Sequence, residues 1–132
     1  MPTSNAYRAK IVDSTLRAVA FTAPANVYIA LFTADPTADC ITGNEIQVGA
    51  HAWYARQAMV FAAQSVPGIT SNSAVVTFPV VTGTDVTATH YALFDASTAG
   101  VMISYGTLTA SKTYSAGDVP SFLAGQLAIT LI

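Results

Sequence analysis

Two histidines, one cysteine and seven acidic side chains are the groups of this chain from which a reactive site could be made. His51 and His90 lie in different segments, and neither belongs to an H-x-x-x-H or H-E-x-x-H arrangement that would bring two imidazoles to one metal. His90, in Thr87-Ala88-Thr89-His90-Tyr91, reads as a packed or hydrogen-bonded strand histidine, and His51, beside Trp53 and Tyr54, as a loop or interface residue. Cys40, His51 and His90 have no zinc spacing. Asp35, Asp39 and Asp118 lack the run of alternating oxygen ligands that a calcium loop needs, and are better read as turn residues bonding to backbone. No G-x-S-x-G, P-loop or G-x-G-x-x-G occurs, and Cys40 has no cationic neighbour in sequence to lower its pKa. We therefore expect no catalytic residue, no metal site and no cofactor.

The elements that would have to position such groups are mostly strands. The N-terminus reads as one helix, Asn5 to Ala20, capped by Thr3 or Ser4 and ended by the strain before Pro24. Tyr7, Ile11, Val12, Leu16 and Val19 form an apolar stripe, of which Tyr7, Ile11 and Leu16 are expected to dock the helix on the rest. After Pro24 the period changes from that of a helix to that of a strand. Val27 to Thr33 is apolar on both faces, which predicts a central strand covered on two sides. Tyr54 to Ala62 suits a strand with Ala55, Gln57, Met59 and Phe61 on one face, although Ala58, Met59, Ala62 and Ala63 would also permit a helix. Val86 to Phe94 predicts another, with Val86, Ala88, His90, Ala92 and Phe94 on one side. Ala74 to Phe78, Val101 to Leu108, and a last segment with Leu127, Ile129 and Leu131 complete the set. Turn chemistry at Gly83, Asp95 to Gly100, Ala116-Gly117-Asp118 and Ala124-Gly125 separates them. The expected fold is mainly β, an antiparallel β-sandwich or jelly-roll-like barrel of seven or eight strands with one N-terminal α-helix at an edge or opening. We expect a single domain over residues 1–132, with a helical segment at 1–22 and the β-sandwich at 23–132.

Composition bears on partners. Hydrophobic types make up 52% of the 132 residues and charged types only 9%, with a net charge of −2. An average soluble domain carries about 25% charged residues. The absence of a cationic surplus excludes electrostatically driven binding to nucleic acid or anionic membrane. A lone cysteine excludes an intrachain disulfide framework. Residues 1–5 lack a basic n-region, and the longest charge-free stretch, Gln57 to Thr84, is broken by Pro67, Gly68 and Pro79, so neither a secretory signal nor a membrane span is expected. One reading of scarce charge is a β domain that uses threonine on its solvent face; the other, which we favour, is a protomer covered by neighbours. Trp53, Tyr54 and Arg56 are the candidate intersubunit contact, because interface anchors favour these three types. On that reading Trp53→Ala should weaken association more than folding, although a core position suits Trp53 equally.

Several blocks, taken in order, resemble a known group. Tyr28-Ile29-Ala30-Leu31-Phe32-Thr33-Ala34-Asp35-Pro36-Thr37, then Gly43-Asn44-Glu45, then Tyr54-Ala55-Arg56-Gln57 are similar to small tailed-bacteriophage virion proteins often labelled tail fibre or structural protein. The resemblance continues through Ser71 to Pro79, Thr89 to Ala96, Tyr105 to Thr109 and Ala116 to Pro120, and departs near His51-Ala52-Trp53, where relatives carry small residues. It implies a non-enzymatic structural protein of the virion, made in the host cytoplasm. A chain this short is expected to leave no room for a fibre shaft, so a capsid cement or decoration protein at capsomer junctions is the reading favoured at this level. A tail or tail-fibre component is the alternative, and a carbohydrate-binding host-attachment module using Trp53, Tyr54 and Tyr91 is a third. The expected partners are the chain itself, as a dimer or trimer, and other virion proteins such as the major capsid protein.

Overall fold

The structure, a computed structural model, describes residues 2–64 and 66–130. It is mainly β. A helix α1 (Asn5–Leu16) precedes eight strands: β1 (Val27–Phe32), β2 (Gln57–Met59), β3 (Ile69–Ser71), β4 (Val76–Thr77), β5 (Val86–Phe94), β6 (Met102–Tyr114), β7 (Ser121–Phe122) and β8 (Ala128–Thr130). Leu131 of the expected last strand lies outside the described residues. The strands form a four-stranded antiparallel sheet in the order β2-β1-β5-β6 and two small antiparallel pairs, β3-β8 and β4-β7.

The apolar run 27–33 occupies the position its composition requires. β1 is an inner strand of the main sheet, and its side chains alternate between two apolar clusters. Ile29 and Leu31 enter the larger cluster, with Val76, Phe78, Phe122, Leu127 and Ile129 contributed by β4, β7, β8 and the segments beside them. Ala30 and Phe32 enter a smaller one with Ala92, Phe94 and Met102. Phe32 and Phe94 stack across the strands at 6.3 Å. A sheet buried on both faces needs apolar residues at successive positions, and this is the pattern of Val27 to Phe32.

β5 departs from the simple alternation expected of it. Val86 and Ala88 face the large cluster, but so do Tyr91 and Leu93, whereas Ala92 and Phe94 face the small one. The side chains change face because the β5–β6 register shifts between Ala88 and His90. Ala88 pairs with Lys112 and His90 with Thr107, so the four residues Leu108 to Ser111 of β6 stand opposite the single Thr89 of β5, three more than regular pairing allows. A bulge of this kind moves every later side chain to the opposite face and bends the strand. A second shift, between Leu93 and Phe94, does the same to β6 around Ile103.

The helix is also shorter and less covered than its stripe suggested. Ser4 is its N-cap, accepting from the Tyr7 amide at 3.1 Å while its hydroxyl donates to the buried carbonyl of Met102. Residues 2–4 lie along the edge of β6, with Ser4 N donating to Ile103 O at 2.9 Å and Tyr105 N to Pro2 O at 3.2 Å. The helix stops at Leu16, where the amides of Arg17 and Val19 both reach Asp13 O and Ala18 turns left-handed. That closure ends the helix eight residues before Pro24. Tyr7 packs against the large cluster and edge-on to Phe21 at 5.8 Å, but Ile11 and Leu16 do not dock: both are exposed, and no residue of α1 is buried.

Candidate interaction site

The best-built polar feature is an ion pair the chain assembles from two distant loops. After β1, Asp35-Pro36 turns the chain away from the sheet, and a 3-10 turn at Thr42–Asn44 brings it back. Glu45 then forms a single bridge with Phe32, and Ile46 N donates to Leu31 O at 3.1 Å. Just ahead of β2, Arg56 enters the same space. Its Nε and Nη2 donate to the two Glu45 carboxylate oxygens, each at 2.8 Å, a bidentate fork. Its Nη1 donates to the carbonyls of Ala96 at 3.1 Å and Ala99 at 2.7 Å, and the guanidinium lies 3.7 Å over the Phe94 ring.

Both charges are nearly out of water, with side-chain exposures of 7% for Arg56 and 12% for Glu45. Tyr54 completes the unit: its hydroxyl donates to Glu45 Oε1 at 2.7 Å and accepts from Leu31 N at 3.1 Å. Burial, reinforced by the Glu45 carboxylate, raises the Tyr54 pKa far above its usual value. Burial alone would lower that of Arg56, but the hydrogen bonds and charge of Glu45 outweigh it and the net shift is upward. Arg56 is thus a permanent cation joining three segments: the 42–48 turn, the 95–100 turn and the sheet.

The 95–100 turn is itself closely fitted. Asp95 Oδ1 accepts from Val101 N at 2.7 Å, and Gly100, at φ +74°, leaves only 2.6 Å between a notional Cβ and that same oxygen. Between the two turns lies an open cleft of about 730 Å³ whose lining includes Gln47, Val48, Tyr54, Arg56 and Thr98.

The residues singled out in the sequence fall out as follows. Tyr54 and Arg56 meet at Glu45 and reach the cleft; Trp53 packs edge-on to Tyr54 at 5.8 Å and is only 7% exposed. Its indole N–H has no hydrogen-bond partner among the described residues, so what it contributes is packing. A sugar platform of Trp53, Tyr54 and Tyr91 does not exist, since Tyr54 and Tyr91 are 5% and 8% exposed and all three belong to the core. His90 hydrogen-bonds Thr89 Oγ1 at 2.8 Å, and His51 lies 6.4 Å from the Trp53 ring; the structure does not join the two histidines. Burial, only partly offset by the Arg56 charge, raises the pKa of the Cys40 thiol, which keeps it protonated at neutral pH. Among the described residues no group of three His, Cys, Asp or Glu could hold a metal ion, and no helix is long and apolar enough to cross a membrane. Glu45 is the functional residue that sequence reasoning missed, although the blocks Gly43-Asn44-Glu45 and Tyr54-Ala55-Arg56-Gln57 already contained both ends of the pair.

These features define a class: a small, mainly β structural protein whose best-placed charges hold its own loops. Residues 2–130 match the family model Gp80, described as podophage GP4 fiber I protein gp80, and the chain belongs to that family. It is accordingly a structural protein of a tailed-phage virion, and it makes contact there with other virion components. No curated protein matches the chain.

Proposed function

We propose that this protein is a subunit of a phage tail fibre, acting through contacts with copies of itself and with neighbouring tail proteins and catalysing no reaction. The observation that carries the reading is the fibre description of a family whose model spans residues 2–130. The internal chemistry agrees with it. Four N–H groups of Arg56 are bonded within the chain, which leaves this cation to stiffen a surface, not to turn over a substrate. On this reading Trp53, Tyr54 and Arg56 serve an intersubunit contact from beneath, fixing the two turns that border the 730 Å³ cleft. Self-association into a closed dimer or trimer suits a fibre, whose subunits repeat about an axis.

A cement or decoration role at the capsid, in contact with the major capsid protein, is less favoured, because the family is described by a fibre and not by a shell. Copy number separates the two. Quantitative densitometry of purified virions should give a small fraction of the major capsid protein's copies, and immunogold labelling should mark the tail. Near-stoichiometric amounts with label over the head would contradict the fibre reading.

A further inference from the structure

We propose that the N-terminal arm, residues 5–26, docks on the body of a second copy of this chain through the face of α1 that carries Arg8, Val12 and Leu16. This deepens the fibre reading and rests on it. The arm is a part of the molecule that its own chain leaves largely uncovered, with no residue of its helix buried. Its near end is held by Ser4, by Tyr7, by the Asn5 side-chain amide that donates to Asp39 at 2.7 Å and by the Lys10–Asp95 ion pair. Beyond that Val12 and Val19 are each 47% exposed, Phe21 is partly covered by the Tyr7 ring, and Leu16, at 79%, is the most exposed large hydrophobic of the described residues. A helix of 12 residues with no buried side chain has little to hold it in water, since isolated helices of this length are marginal. Arg8, Val12 and Leu16, each four residues apart, share one side of it.

The identity of the occupant follows from charge. Residues 1–17 hold Arg8, Lys10 and Arg17 against Asp13 alone, a net +2; since the whole chain is −2, the remainder is −4. Lys10 and Arg17 face Asp95 and Asp13, but Arg8 has no ion-pair partner among the described residues. On the body, Asp35, Asp39, Asp85 and Asp118 are exposed, and no ion pair among the described residues includes any of them. One copy therefore offers exposed apolar side chains beside one unpaired cation, Arg8, and another offers exposed carboxylates that no ion pair among the described residues includes. Exchanged reciprocally between two copies the contact closes a dimer, and passed on from copy to copy it closes a ring or extends a fibre.

The test is sedimentation of the full chain over a range of concentrations at low and high salt, with Leu16→Asp and Arg8→Glu alongside. The wild type should self-associate. Each variant should weaken association by about tenfold or more, high salt should weaken the wild type, and the far-ultraviolet circular dichroism and thermal midpoint of the variants, read where the wild type is dissociated, should be unchanged. A wild type that stays monomeric throughout would overturn the proposal, including the case in which the arm serves a different virion protein. Oligomers indifferent to both variants would overturn the arm contact while leaving the fibre reading, tested on virions, intact. Should Leu16→Asp lower the thermal midpoint, Arg8→Glu decides by the same criterion.

Discussion

The Glu45–Arg56 clamp and the N-terminal arm put similar residue types to opposite use. In the clamp a cation is buried, and four of its N–H groups are bonded to acceptors within the chain. In the arm the cation Arg8 has no ion-pair partner among the described residues, and aliphatic side chains, Leu16 above all, remain exposed. The contrast separates what this chain does for itself from what it leaves for a neighbour. Interior charge is tolerated where hydrogen bonds surround it, and apolar surface left bare on a short helix marks the place where folding alone is incomplete.

The largest effect expected on the clamp side is from Arg56→Met. It leaves the Glu45 carboxylate buried without its counter-charge and frees the Ala96 and Ala99 carbonyls, a loss of about 3–5 kcal/mol measurable by denaturant unfolding. Arg56→Lys should recover only part of this, since an ammonium cannot form the fork or lie flat over Phe94. Trp53→Ala should cost about 3–5 kcal/mol as well, because it empties a core position. Of the two readings the sequence left open for Trp53, its burial favours the core one, on which folding is the property the substitution removes.

Part of this arrangement was legible in the residues themselves. The unbroken apolar run of β1 identified a doubly covered inner strand, since an outer or one-sided strand would have alternated with polar residues. That Val86 and Ala88 face away from Ala92 and Phe94 was not legible: nothing in Thr87-Ala88-Thr89-His90 announces the three extra residues that β6 inserts opposite Thr89. Bulges are properties of a pair of strands, and a single sequence shows only one at a time. The clamp was hidden for a related reason, as Glu45 and Arg56 meet only after the 33–46 loop folds back on the sheet. Of the helical stripe, Tyr7 packs on the large cluster as expected while Ile11 and Leu16 stay exposed, because periodicity reports which residues share a face and not whether the chain covers it.

Smaller effects sharpen the comparison. Gly100→Ala forces a side chain into a left-handed position against Asp95 and Ala96, and should cost about 1–3 kcal/mol while loosening the turn that Arg56 holds. Alkaline titration tests the buried hydroxyl of Tyr54. Its folded pKa is raised, so the unfolded chain loses the phenolic proton first; the stabilisation is full below about pH 10 and is lost progressively above it. Tyr54→Phe should reduce that alkaline sensitivity, read as the slope of stability against pH. At the other extreme, Leu16→Asp should change the stability of the monomer by no more than about 0.5 kcal/mol, because the residue it replaces touches so little.

Amide hydrogen exchange, compared between the free chain at low concentration and the same chain in intact virions, tests the division of labour most directly. The account predicts strong protection of 27–32 and 86–94 in both states, with residues 5–26 exchanging fast when free and slowly in the particle. An arm that exchanges equally fast in both would contradict it.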